Sequence, residues 1–280
     1  MLDSLYGLID ILLPFQWVQY DFMKNALIAV LLVTPLFGIL GTMVVNNKMA
    51  FFADSLGHGA FTGIAIGILV GGISPIWGAT IFSIIFAIAI TLIKNKGTSS
   101  TDTIIGVFSS IAIALGLVLM SLGGNLNKFS SYLVGDLLSI SPKEIIMLLV
   151  LFVIVLLLWS FVFNKLLIVS INSSLAKSRG INTLLIELLF TITIAVVVTI
   201  TVNWVGLLII NSLLVLPAAS ARNISRNVRQ YHIISILISL ISGIIGLILS
   251  YYLNTVTGAT IVLVSAVMFF ITLVFKNKFV

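Results

Sequence analysis

The chain has 280 residues, of which 60% are hydrophobic and only 8% charged, with a formal charge of +6. A water-soluble domain carries about 25% charged residues, so a soluble enzyme, a nucleic-acid binder and a disordered chain are excluded. Cysteine is absent, which removes disulfides, thiolate metal sites and cysteine nucleophiles.

Residues 1–21 carry no Lys or Arg but do carry Asp3, Asp10 and Asp21. A signal peptide needs a basic start, so this stretch reads instead as a short external helix lying in the membrane interface. The remainder, 22–280, is expected to be a single transmembrane domain. A hydrocarbon core about 30 Å thick needs roughly 20 apolar residues in a helix. Runs of that kind fall at 26–45, 50–71, 76–93, 103–122, 145–163, 183–202, 205–221, 233–252 and 258–275. The sequence therefore predicts an all-α polytopic membrane protein of about nine helices, within a range of 8–10. The run at 205–221 is the weakest, being short and carrying Pro217 near its end. No period-2 alternation supports a transmembrane β-barrel.

Basic residues orient the chain. With Lys48 on the cytoplasmic side and nine alternating spans, Lys94, Lys96, Lys165, Lys177, Arg179, Arg222, Arg226, Arg229, Lys276 and Lys278 share that side, whereas Lys24, Lys128 and Lys143 lie outside. The positive-inside asymmetry puts the N-terminus outside and the C-terminus inside.

An ionisable residue inside a span is a functional-site hypothesis, because charge at depth costs about 2.5–3.5 kcal/mol even on insertion scales. Asp54 and His58 stand four apart in the second run, so a helix places them on one face, and Thr62 continues the strip. Beside it runs a second strip, Ser55, Gly59, Gly63, Gly67 and Gly71, of the small-xxx-small kind that lets helices approach closely. Carboxylate and neutral imidazole suit a divalent Zn, Mn or Fe ion. Because metal binds only the neutral ring, transport should fall in acid. Two other readings stand beside this one: a structural contact, with Asp54 at the helix start paired to His58 or Lys48, and a proton relay. Elsewhere Glu187 reads as structural, Asp102 as a helix cap and His232 as a solvated interfacial residue. The segment 130–144, with Tyr132 to Asp136, reads as an external docking loop or an ordinary turn. No phosphate-cradling G-x-x-x-x-G-K-[ST] loop is present, and no nucleophile–base pair either, so the chain reads as a conduit and not as an enzyme.

Several stretches in order resemble the permease subunits of bacterial metal-ion ABC importers. Met49-Ala50-Phe51-Phe52-Ala53-Asp54-Ser55-Leu56-Gly57-His58, then Gly63, is similar to that family's "GDALSHAALPG" signature. Asp102-Thr103-Ile104-Ile105-Gly106 with Ala114-Leu115-Gly116 resembles "DTAIGI…ALG", and Tyr132 to Leu138 resembles "YLFGNIL". Ala176-Lys177-Ser178-Arg179-Gly180-Ile181 resembles "AKALGI", and Val205-Gly206 through Ala221 resembles "VG…LLVLPAATA". The likeness covers about 24–275. It implies a multi-pass protein of the bacterial plasma membrane, in an importer of two permeases and two ATPases fed by an extracytoplasmic metal-binding lipoprotein. It also implies that Asp54 and His58 line the metal path. The segment 170–181, with Ser170, Asn172, Ala176, Lys177, Arg179 and Gly180, would be the coupling helix seated in the ATPase. Gly57 and Thr62 depart from the family's usual serine and proline, and Ile171-Asn172 from its Phe-Asp.

A two-fold homodimer would double two ligands to four, a common number for zinc. The expected cargo is a Zn, Mn or Fe ion in transit, with no permanently bound cofactor and no nucleic-acid partner. The alternative is a proton-coupled secondary cation transporter; a third reading is a structural membrane anchor.

Overall fold

In the computed structural model, every regular element among the described residues is helical. The structure describes residues 6–7, 9–11, 13, 15–71, 74–97, 99–123 and 134–279. After a 3-10 turn at Gln16–Gln19 come α1 (Asp21–Asn46), α2 (Phe52–Val70), α3 (Pro75–Lys96) and α4 (Thr101–Gly123). A second 3-10 turn at Leu137–Ser139 precedes α5 (Pro142–Ile171), the short α6 (Ser173–Ser178) and α7 (Thr183–Val205). The chain ends with α8 (Leu207–Ile224), α9 (Val228–Leu253) and α10 (Thr257–Phe279).

Eight of these helices are long and apolar enough to cross a membrane. The run expected at 205–221 forms α8, which at 18 residues is the shortest of the long helices. The cause is local. Gly206 takes a φ of +89°, which a residue with a Cβ rarely adopts, and its N–H closes α7 on the Val202 carbonyl. Pro217 then withholds one backbone donor inside α8.

The chain divides into two compact units, one of 1–42, 135–153 and 212–280, the other of 43–134 and 154–211. In the first, α9 is sewn to α1. Ser239 Oγ donates to the Thr34 carbonyl (2.6 Å), Ser235 Oγ to that of Gly38 (2.7 Å) and Tyr231 Oη to that of Thr42 (3.3 Å). Donors and acceptors both step by four residues, one helical turn each. Lipid tails give two apolar helices no hydrophobic reason to associate, so bonds of this kind hold them. His232 joins the same seam, with Nε2 at 2.8 Å from Thr42 Oγ1 and Nδ1 at 2.9 Å from the Val228 carbonyl. The solvated interfacial role that its sequence neighbours predict is thus replaced by a helix-to-helix contact.

The N-terminal segment is tied to α1. Residues 6–7 and 9–11 are helical, Lys24 pairs with Asp10 at 2.8 Å, and Tyr6 bonds to Asn25. Trp17 and Val18 are buried.

In the second unit α2 packs against α3, α4 and α7. A Cβ at Gly63 would stand 2.6 Å from the Gly78 carbonyl oxygen and 2.7 Å from Ala79 Cα, so the α2–α3 crossing exists only because this position has no side chain. α3 is bonded to α7 by Thr91 Oγ1 to Thr191 Oγ1 (2.9 Å) and by Glu187, which takes Asn95 Nδ2 (2.8 Å) and Lys94 Nζ (3.5 Å). Glu187 thus has the structural role expected of it. Asp102 lies in the first turn of α4, but the side chain that caps this turn is Ser100, whose Oγ accepts the Thr103 N–H at 3.2 Å.

Candidate functional site

α2 starts after a tight turn in which Lys48 adopts a φ of +55°. No side chain caps the helix at Phe51, and Asp54 in its first turn is the nearest carboxylate to the free N–H groups. One turn on stands His58, its Nε2 3.5 Å from Asp54 Oδ2. That is too long for a hydrogen bond. It is close to the roughly 3.4 Å that separates two ligands each about 2.1 Å from a tetrahedral ion. The two side chains keep 38% and 21% of their surface exposed, Asp54 and His58 respectively. Among the described residues neither bonds to another helix.

The other faces of α2 pack against its neighbours. Thr62 is fully buried, and its hydroxyl donates to the Ala112 carbonyl of α4 at 2.6 Å, with the His58 carbonyl at 3.1 Å. This hydroxyl fixes α2 on α4. The neighbouring glycine strip packs onto α3: Gly59 lies against the Phe86 ring, Gly63 against Gly78 and Ala79, and Gly67 against Gly78 and Pro75. Gly71 does not join them. It closes α2 with a φ of +70°, and a Cβ there would meet nothing within 4 Å. On the remaining flank Leu207 packs on Gly57. Among the described residues no three His, Asp or Glu side chains gather into a metal cluster. What one chain brings together here is the two side chains of Asp54 and His58.

The segment 170–181 is a separate feature. Asn172 Oδ1 accepts the N–H groups of Ser174 (2.9 Å) and Leu175 (3.1 Å), which starts α6. Gly180 turns the chain out of it with a φ of +72°, and Asn182 caps α7 through the Leu185 N–H at 3.1 Å. Ser170 Oγ donates back to the Leu167 carbonyl at 2.8 Å. Ile171, Leu175, Lys177 and Arg179 are exposed, whereas Ala176 is fully buried. A bulky residue at Ala176 would therefore disturb the chain's own packing, whereas the exposed positions Ile171, Leu175, Lys177 and Arg179 have room for one.

Of the external loop expected at 130–144, Tyr132 and Leu133 lie outside the described residues. Asp136 caps the following 3-10 turn through the Leu138 N–H at 3.1 Å. Glu144 accepts the Ser141 N–H at 2.8 Å and its hydroxyl at 2.7 Å, the back half of a capping box.

Comparison with known proteins gives the context. The sequence profile of the ABC 3 transport family matches residues 19–276. The high-affinity zinc uptake system membrane protein ZnuB of Haemophilus influenzae is 32% identical, over 93% of this chain and 99% of its own length. The manganese transport system membrane protein MntC of Listeria monocytogenes is 27% identical, over 93% of each. Among solved structures, PsaBC from Streptococcus pneumoniae in complex with Fab superposes with a TM-score of 0.79 at 28% identity, covering 96% of this chain and 95% of that one.

Proposed function

The chain belongs to the ABC 3 transport family, and from that premise we propose that Asp54 and His58 are the side chains that a zinc or manganese ion meets on its way inward. The protein is a multi-pass permease subunit of a metal-ion ABC importer in the bacterial plasma membrane. A proton-coupled secondary transporter is not favoured by this membership. The observation that carries the site is the pair itself: two donors 3.5 Å apart on one face of an apolar helix, spaced as a small divalent ion requires. Asp and His donors would serve iron(II) as well, but the relatives' names point to zinc and manganese.

The rest of the importer follows from the same reading. A second copy of this chain brings two more ligands about a two-fold axis, which makes four. Two ATPase subunits supply the energy and seat α6, with Leu175, Lys177 and Arg179 outward and Ala176 and Gly180 shaping the turn. An extracytoplasmic lipoprotein delivers the metal. The permease catalyses no reaction of its own, and Thr62 sets the angle of the ligand-bearing helix against α4.

Reconstitution tests this reading. Purified permease in proteoliposomes with its ATPase and binding protein is expected to take up Mn²⁺ or Zn²⁺ only when ATP is supplied on the ATPase side. Uptake by the permease alone, driven by a proton gradient, would overturn it.

Orientation has its own test. Residues 1–21 and Lys143 are placed outside and Arg226 inside, as the basic residues require. Asn223 is buried and so is a poor site for labelling, whereas Lys143 and Arg226 are exposed. Lys143→Cys and Arg226→Cys, each introduced into the cysteine-free chain, should react with an impermeant maleimide from opposite sides. Labelling of both from one side would rule out nine alternating spans.

A further inference from the structure

Gly57, which lies between Asp54 and His58 in sequence, is about 60° around α2 from Asp54, on the flank where α8 begins. A Cβ at Gly57 would be 3.1 Å from Leu207 Cγ, so the first residue of α8 rests against the ligand-bearing turn. Asn211 is four residues further along α8, on the same face as Leu207 and about 6 Å along the axis. Its amide oxygen is buried and accepts no hydrogen bond among the described residues.

An asparagine in an apolar helix ordinarily bonds across to a neighbouring helix, and an enclosed carbonyl oxygen without a donor is costly to keep. An electron-pair donor left unmet one turn from the Leu207–Gly57 contact, and so within the neighbourhood of a carboxylate and an imidazole, is suited to a cation. All five residues, Asp54, Gly57, His58, Leu207 and Asn211, belong to the same compact unit.

We propose that the Asn211 amide oxygen is a third ligand of the metal path and biases it toward manganese over zinc. The inference rests on the reading of Asp54 and His58 as metal ligands. The bias follows from donor chemistry: imidazole suits zinc, whereas carboxylate and carbonyl oxygens suit manganese. With Asn211 the set per chain becomes two oxygens and one nitrogen.

The test is uptake of radioactive Mn²⁺ and Zn²⁺ at limiting metal, in cells that depend on the complete importer. Wild type is compared with Asn211→Leu, Asn211→Ala, Asn211→Asp and Asp54→Ala, with permease in the membrane measured for each. Asn211→Leu is expected to lower the manganese-to-zinc uptake ratio about tenfold, the lower end of what disturbing a metal's surroundings costs. Asn211→Asp, which restores an oxygen, should keep the ratio within about twofold of wild type. Should the Leu variant fail to reach the membrane, Asn211→Ala, which removes the oxygen without adding bulk, decides in its place. An unchanged ratio without the amide oxygen overturns the proposal, and so does an equal loss of the ratio in Asn211→Asp. Wild-type uptake by Asp54→Ala removes the underlying reading of the pair. Loss in Asp54→Ala with unchanged ratios at Asn211 removes Asn211 alone.

Discussion

Asp54→Asn and His58→Ala are each expected to abolish metal uptake while leaving the permease folded, inserted and assembled. The two halves of that expectation come from different magnitudes. Disturbing even the groups that support a metal ligand costs about 10–100-fold, so loss of a ligand on the path should cut uptake by about 100-fold or more. Stability should barely respond. The pair lies on one helix at i and i+4, is partly exposed, and bonds to no other helix among the described residues. Exposed pairs of this kind are worth about 0.3–0.5 kcal/mol. For a chain of this size that is about one or two degrees in melting temperature. Uptake and thermal melting of the purified variants check both halves. Wild-type uptake rates would exclude the pair from the path, and a large fall in melting temperature would return it to a structural role.

Gly63→Leu should fail in the opposite way, losing the protein and not only its activity. A Cβ at Gly63 meets backbone on α3, 2.6 Å from the Gly78 oxygen and 2.7 Å from Ala79 Cα. Backbone cannot rotate aside as a side chain can, so α2 and α3 must separate. Overpacking costs about 1–3 kcal/mol where a core can yield, equivalent to a fall of about 3–10 °C in melting temperature. Gly67→Ala on the same strip is the control. Its Cβ would be in ordinary contact, 3.6 Å from Gly78 Cα and Pro75 Cα, and near-wild-type stability is expected. Fluorescence-detected gel filtration of heated samples separates the two. Equal melting of Gly63→Leu and wild type would show that the α2–α3 crossing tolerates what its geometry forbids.

Much of this architecture is legible in the residues because bilayer physics leaves few alternatives. Runs of about 20 apolar residues must be helices, and eight of the nine expected runs are helices long and apolar enough to cross a membrane. The pair at Asp54 and His58 was equally legible, since i, i+4 spacing fixes a common face wherever the helix goes. What one sequence does not reveal is the neighbour each face meets. The small-residue strip announced a close approach but not that α3 would fill it, nor that Gly71 would serve as a cap. Thr62 stands on the Asp54–His58 strip in sequence, yet its hydroxyl goes to the Ala112 carbonyl, a partner 50 residues away. His232 looked solvated beside three arginines, because nothing near it in sequence signals Thr42. Asn211 drew no notice within the 205–221 run, where only its bonding environment sets it apart.

The seam between α1 and α9 limits how these helices can move. Its three donors and three acceptors share one four-residue register. A slip of a single residue, about 1.5 Å, therefore breaks all three bonds at once, and only a jump of a whole turn, about 6 Å, would re-form any. Gradual shear is thus closed to this pair. During a transport cycle α1 and α9 must travel as one strut, latched like teeth on a rack. Pro35, a natural place for α1 to bend, is held beside one of those teeth, because the carbonyl of the preceding Thr34 is the one that receives Ser239.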